Sequence, residues 1–374
     1  MGSYLNPGSM LFRGSLRSKI YVDKSGLIEK INELVCTEQK YVCVSRPRRF
    51  GKSMAANMLA AYYKKDEDTR PLFDKLLISQ SESYEEHLNQ YDVIRINMQQ
   101  FLSETHNMEE MLSKLRNYLI MDLQEAYEKI RFREKTSLVQ TMKDVFAYTG
   151  CPFIILIDEW DCLFREYQKD KEAQKKYLDF LRAWLKDQDY VGLAYMTGIL
   201  PIKKYGSHSA LNMFIEYSMT DPGDVAQYFG FTEEEVFTAL DNLGMAEQKE
   251  IVKSWYDGFV FGTEKDIYNP WSITNYLDKK QVRAYWADTS SNSLISRLIR
   301  KASAGIKEQM EELLQGKEII VNFDEQIVFE QLDQDENAIW SLMLASGYLK
   351  ATDVEYRGVL REPWYHLMIT NLET

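Results

Sequence analysis

Cysteine and histidine are scarce, with four of each in 374 residues. Cys36, Cys43, Cys151 and Cys162 show no paired metal spacing, and so few histidines make a zinc site a poor expectation. The thiols fit a reducing cytoplasm and not a disulfide framework. Positive charge is also in deficit. A formal net charge of -12 and a pI near 5.1 argue against general nucleic-acid or anionic-membrane binding, although a local basic patch is compatible with both. Long apolar runs are missing as well: none approaches the roughly 20 residues that span a bilayer, and the N-terminus lacks a basic-then-apolar signal pattern. What remains is ordinary globular composition, 45% hydrophobic and 27% charged, at a length that predicts two or three domains.

One stretch organises the chain. The apolar run Tyr41-Val42-Cys43-Val44-Ser45 leads into Arg46-Pro47-Arg48-Arg49-Phe50-Gly51-Lys52-Ser53, and Met54 to Tyr63 follows with strong helix formers. Strand, loop and helix in that order make a phosphate-binding loop of the Walker A kind. Gly51 lets backbone N–H groups close on an anion, Lys52 reaches the β- and γ-phosphates, and Ser53 offers a hydroxyl to Mg²⁺. The signature G-x-x-x-x-G-K-[ST] asks for glycine where Arg46 stands. That first glycine only eases the turn, whereas the second glycine, the lysine and the hydroxyl touch the ligand. Arg46, Arg48 and Arg49 add local positive charge, and the candidate nucleotide-binding set runs from Arg46 through Met54.

A second chemical signal lies about a hundred residues on. Phe153-Ile154-Ile155-Leu156-Ile157-Asp158-Glu159 reads as a buried strand delivering two carboxylates to a sheet edge. Asp158 would hold Mg²⁺ through water, and Glu159 would orient and polarise the attacking water. Asp161 admits two roles, a place in the metal shell or a helix or turn cap. The strand Val191 to Thr197 ends in a hydroxyl before Gly198; beside the acidic strand, Thr197 would sense the γ-phosphate or serve as a structural cap. Strands alternating with helices, such as those expected over 107–132 and 173–186, predict an α/β sheet that gathers ligands at strand C-termini.

Elsewhere the patterns are structural. Leu27, Ile28, Ile31, Leu34 and Val35 share a helix face ahead of the loop strand, with Tyr21 or Asp23 placed either to flank a nucleotide base or simply to pack. Beyond about Asp221 short helices carry strong caps: Thr232 with Glu235, Asn269 before Pro270, and Thr289-Ser290-Ser291-Asn292. Tyr256-Asp257-Gly258-Phe259 reads as a turn presenting aromatics. A helix over 337–346 and strands over 348–351 and 364–369 suggest a winged-helix-like module whose acids favour intramolecular packing over DNA contact.

These motifs together resemble the AAA-ATPase-like family of gut and anaerobic bacteria. The resemblance rests on Tyr21-Val22-Asp23-Lys24-Ser25, the loop from Arg46 to Ser53, Leu156-Ile157-Asp158-Glu159-Trp160-Asp161, Thr197-Gly198, Ser209-Ala210-Leu211-Asn212, Tyr268-Asn269-Pro270-Trp271-Ser272, and Tyr285-Trp286 with Thr289-Ser290. Arginine at the first glycine position is typical there, and Trp160 replaces a more usual tyrosine. The resemblance implies a P-loop fold akin to signal-transducing ATPases, with a helical region and a winged-helix-like module behind it. It also implies adenine selectivity and a following PD-(D/E)XK nuclease-like domain. That domain is expected to be absent here: Glu38-Gln39-Lys40 matches only the letters of a nuclease motif, and residues 369–374 fall where the domain would begin.

The expected layout is therefore a P-loop ATPase domain over 1–220, a helical domain over 221–305 and a winged-helix-like module over 306–374. The expected activity is Mg²⁺-dependent ATP binding and hydrolysis of switch type, regulating a partner or an attached nuclease-like domain, with Lys52, Glu159 and Thr197 catalytic and Ser53 and Asp158 on the metal. The alternative is a nucleotide-binding scaffold with negligible hydrolysis that works through partner or DNA contacts. An arginine finger would come from Arg48, Arg49 or Arg165. A small-molecule kinase lacks an acceptor site. Protein partners or an oligomer are compatible with either role; DNA is not favoured and a membrane is not expected.

Overall fold

The computed structural model describes residues 2–167, 169–202, 211–287, 298–300, 302–324 and 335–374. Ser209-Ala210 and Thr289-Ser290-Ser291-Asn292 lie outside the described residues. By its internal contacts the chain divides into two compact units. The first comprises Met1–Val44, Lys52–Gly198 and Ile202–Glu216, and the second Ser45–Gly51, Ile199–Pro201 and Tyr217–Thr374.

The first unit is built on a sheet of β1 (Tyr41–Ser45), β2 (Asp92–Asn97), β3 (Phe153–Asp158), β4 (Val191–Gly198) and β5 (Ile215–Tyr217), in the order β2-β3-β4-β1-β5. Strand β3 pairs in parallel with both β2 and β4. Every residue of β1, β3 and β4 is buried, as strands covered on both faces require, and this is why they read as unbroken apolar runs. The expected α/β class with a mainly parallel sheet is therefore the observed one. Helices α1 (Met10–Leu16) and α2 (Gly26–Asn32) precede the first strand; parallel neighbours need long crossovers, and these supply α3 (Lys52–Tyr63) and the longer Met108–Ala126 and Lys171–Leu185. The last two are amphipathic. They bury Leu112, Leu115, Leu119 and Leu123, and Tyr177, Leu178, Leu181 and Trp184, while Asn107 and Asp170 cap their first turns.

The second unit holds two three-stranded antiparallel sheets. One is β6 (Phe231–Thr232), β7 (Phe259–Phe261) and β8 (Glu264–Tyr268), in the order β6-β8-β7; the other is β9 (Ile319–Val321), β10 (Leu349–Arg357) and β11 (Glu362–Ile369), in the order β10-β11-β9. Thr232 and Glu235 form the expected capping box, and Asn269 accepts from Trp271 N and Ser272 N ahead of the helix Pro270–Lys279.

Two expectations change here. The aromatics at 256–259 are not presented to solvent: Tyr256 and Phe259 are buried, and the Tyr256 hydroxyl donates to Arg283 O. The C-terminal hairpin is longer than its apolar pattern, because polar pairs extend it. Arg357 lies 4.4 Å over the Trp364 ring, and His366 bridges Glu318 and Glu355. Such pairs leave no hydrophobic alternation to read.

Gly258 lies where two stretches of main chain in the second unit approach closely. Its φ is +133°, and a Cβ there would lie 2.0 Å from Thr370 O. Gly258→Ala should lower stability by about 3 kcal/mol, since strained backbone and a clash with main chain add together. Gly244, at φ +67° with nothing within 4 Å of a Cβ, is the control. Gly244→Ala should cost only about 1 kcal/mol, read as the difference between urea midpoints.

Candidate functional site

In the first unit the C-terminal ends of β3 and β4 and the first turn of α3 carry the expected groups. Asp158 ends β3 opposite Thr197 of β4. The Thr197 hydroxyl donates to Asp158 Oδ1 at 2.6 Å, and Glu159 N donates to the same oxygen at 3.1 Å. The other oxygen, Oδ2, is buried without a hydrogen-bond partner. A buried carboxylate oxygen with no donor is costly to leave so, and an oxygen-seeking cation is the group that fits it. Thr197 thus orients the carboxylate expected on the metal.

Lys52 opens α3 and is 5% exposed. Burial pulls its ammonium pKa down, while the carboxylates of Glu159, Asp158 and Asp161 push the other way. Ser53 and Met54, next along the helix, are exposed. Glu159 sits at φ +55°, an uncommon left-handed conformation for a residue with a side chain. Its carboxylate pairs with the Arg165 guanidinium, whose Nε also lies 3.5 Å from Asp161 Oδ2. Asp161 occupies the N-cap position of Cys162–Glu166 without a side-chain cap bond, so the pairing with Arg165 stands where a cap was one expectation.

The turn after β3 is locked by Trp160. Its N–H donates to Thr197 O, its carbonyl accepts from the Tyr177 hydroxyl at 2.7 Å, and its ring is fully buried. Gly198 is required beside it, because a Cβ there would lie 2.6 Å from Trp160 Nε1 and 2.9 Å from Asp161 Oδ1. Tyr177 was legible only as helix core, since nothing in its spacing marks a hydroxyl that holds the turn.

The loop residues preceding Lys52 belong to the second unit, and their side chains are engaged there. Arg46 is fully buried and donates through Nη1 to the carbonyls of Ser45, Tyr217 and Ser218, with its guanidinium 4.7 Å from the Phe261 ring centre. Its charge is spent on backbone dipoles and an aromatic face. Pro47 lies against Gly347, where a Cβ would come within 3.0 Å of it. Arg48 O accepts from Asn269 Nδ2 and Trp286 Nε1, Arg49 lies 4.4 Å over Trp271, and Phe50 packs edge-on to Phe259 and Phe261. Gly51 has φ +85°, a conformation that favours glycine at the end of the loop. Asp23, one candidate to flank a base, accepts from Ser25 N and Leu77 N with its two oxygens.

Residues 15–207, more than half of the chain, match the protein family described as "Predicted AAA-ATPase". An uncharacterized protein in the vnfD 5' region of Azotobacter chroococcum mcd 1 is 24% identical over 358 residues, which cover 94% of this chain and 64% of that protein. This chain therefore spans less than two thirds of that relative's length. Among solved structures, the Aeropyrum pernix ORC1 protein in complex with DNA is 12% identical with a TM-score of 0.33, covering 99% of this chain and 95% of that one. AMPPCP-bound DnaA from Aquifex aeolicus is 9% identical with a TM-score of 0.29, covering 79% and 69%. Likenesses at these TM-scores add nothing to what the sheet order and the strand-end residues show directly. Among the described residues no helix is long and apolar enough to cross a membrane.

The Thr197–Asp158 bond gives a test of the site's construction. Thr197→Val should cost about 1–3 kcal/mol in urea unfolding, since it leaves a buried carboxylate oxygen short of a donor. Thr197→Ser should recover most of that loss.

Proposed function

From the premise that this chain belongs to the predicted AAA-ATPase family, we propose that it is a Mg²⁺-dependent ATPase of switch type. The observation that supports this best is the unpartnered Oδ2 of Asp158, in the same unit as the buried Lys52. A cation held by Asp158 and the Ser53 hydroxyl would supply charge neutralisation across the phosphates. Lys52 binds the β- and γ-phosphate oxygens, and Thr197 holds Asp158 in place. Glu159 orients a water and accepts its proton as the water oxygen attacks the γ-phosphorus and ADP leaves. The residues from Arg46 through Gly51 position the phosphate-binding backbone. Their side chains are packed among residues of the C-terminal half, which supports a switch in which the nucleotide state is passed to that half. The output is control of a protein partner or an attached nuclease-like domain. Four free thiols accord with a cytoplasmic setting.

One observation favours a second role. The Glu159 carboxylate is already engaged by Arg165, and a carboxylate held by a guanidinium is a poor proton acceptor. A scaffold that binds nucleotide, hydrolyses it negligibly and acts through its partners would keep that pair closed.

Melting curves and phosphate release separate the two. ATP with Mg²⁺ should raise the melting temperature by mass action, GTP should not, and Lys52→Ala should remove the shift. Glu159→Gln should keep the shift and lower multiple-turnover phosphate release by about 10²–10⁴-fold. A wild-type chain that shows the ATP shift without turnover is the scaffold; an ATP shift that survives Lys52→Ala would overturn both roles.

A further inference from the structure

Strand β2 is the edge of the first unit's sheet, and it carries an arginine that the nucleotide site does not use. Arg95 lies opposite Leu156, and Asn97 lies opposite Asp158. Two residues apart on one strand, Arg95 and Asn97 face the same side of the sheet. That side holds a cavity of about 140 Å³ between β2, α3 and the N-terminal segment; Tyr4, Asn57, Asn97 and Gln100 line it beside Arg95.

Two side chains that line the cavity each hold one buried polar atom without a hydrogen-bond partner among the described residues. Arg95 Nε is buried and unpartnered, and no ion pair among the described residues engages its guanidinium. Asn57 Oδ1, on α3 one turn beyond Ser53, is likewise buried and unpartnered. Burial pulls the Arg95 pKa down, and the charge of Asp158 opposes it. Arg95 is only partly buried, so the cost falls on the one N–H withdrawn from water without an acceptor, and the orphaned amide oxygen of Asn57 adds to it.

We propose that this cavity is a binding site for inorganic phosphate, separate from the phosphate-binding loop. Its two orphans ask for different things. Arg95 needs an anion that accepts hydrogen bonds, and Asn57 Oδ1 needs a donor. Near neutral pH a carboxylate or sulfate offers acceptors alone, whereas hydrogen phosphate presents both anionic oxygens and a P–OH. Phosphate oxygens accept from Arg95 while the P–OH donates to Asn57 Oδ1. The volume, several times the roughly 30 Å³ share of a water molecule, accommodates a tetrahedral ion of five heavy atoms. This site stands whether or not the loop hydrolyses ATP.

The test titrates the full chain with inorganic phosphate, and separately with sulfate at matched ionic strength, by calorimetry and melting temperature. Four proteins are compared: wild type, Lys52→Ala, Arg95→Met and Asn57→Asp. Phosphate should bind saturably and at least tenfold more tightly than sulfate, Lys52→Ala should retain this binding, and Arg95→Met should weaken it tenfold or more. Asn57→Asp guards against a folding defect in Arg95→Met. It gives Arg95 a carboxylate in the same cavity, so it should melt higher than wild type without phosphate and no longer respond to it. Equal responses to phosphate and sulfate, phosphate binding lost in Lys52→Ala but kept in Arg95→Met, or no saturable binding in any of the four would each overturn the proposal.

Discussion

Asp158 holds two hydrogen bonds on one oxygen and none on the other, and much of the first unit is arranged to keep it that way. Its donors come from the end of the neighbouring strand and from its own successor, so the carboxylate is oriented only while β3 and β4 stay in register. The Trp160 turn maintains that register through a main-chain bond to Thr197, through Tyr177, and through a contact with Gly198 that admits no side chain. A buried indole is thus used to aim a carboxylate.

The loop before Lys52 follows the opposite logic. Where a glycine would ease the turn, Arg46 is drawn fully into the second unit and spread over three carbonyls and an aromatic face. Its neighbours are treated alike, with Arg49 on Trp271, Phe50 among phenylalanines, and the Arg48 carbonyl held by an amide and an indole. A guanidinium in a low-dielectric interior is stable only with such partners. The side chains of Arg46, Arg49 and Phe50 serve packing.

Much of this was legible in advance where a local signal existed. The runs at 41–45, 153–158 and 191–198 are buried strands because both faces of a parallel sheet need apolar residues. Thr232 with Glu235, and Asn269 with Pro270, act as caps because capping is settled within four residues. Signals failed where the partner was distant. The residues at 256–259 are buried by Phe50 and by the stretch near 283, and the hairpin from Leu349 to Ile369 is extended by Arg357 on Trp364 and by His366 between two glutamates. Arg95 stood out in no pattern, because a lone arginine in an apolar strand looks like any edge residue until its surroundings are known.

By itself the sequence determined the order of chemical groups along the chain: a strand, a glycine-lysine-serine turn and helix, then an apolar strand ending in two carboxylates, then one ending in a hydroxyl. Those depend on residue type and local spacing, which the chain carries with it. Only the tertiary structure decided that Thr197 bonds Asp158, that Arg165 occupies Glu159, that Arg46 is interior and that Arg95 and Asn57 share a cavity. Each joins residues that only strand pairing or packing brings together. Whether a buried charge is neutralised depends on what lies within a few ångströms of it in space, and sequence order does not specify that.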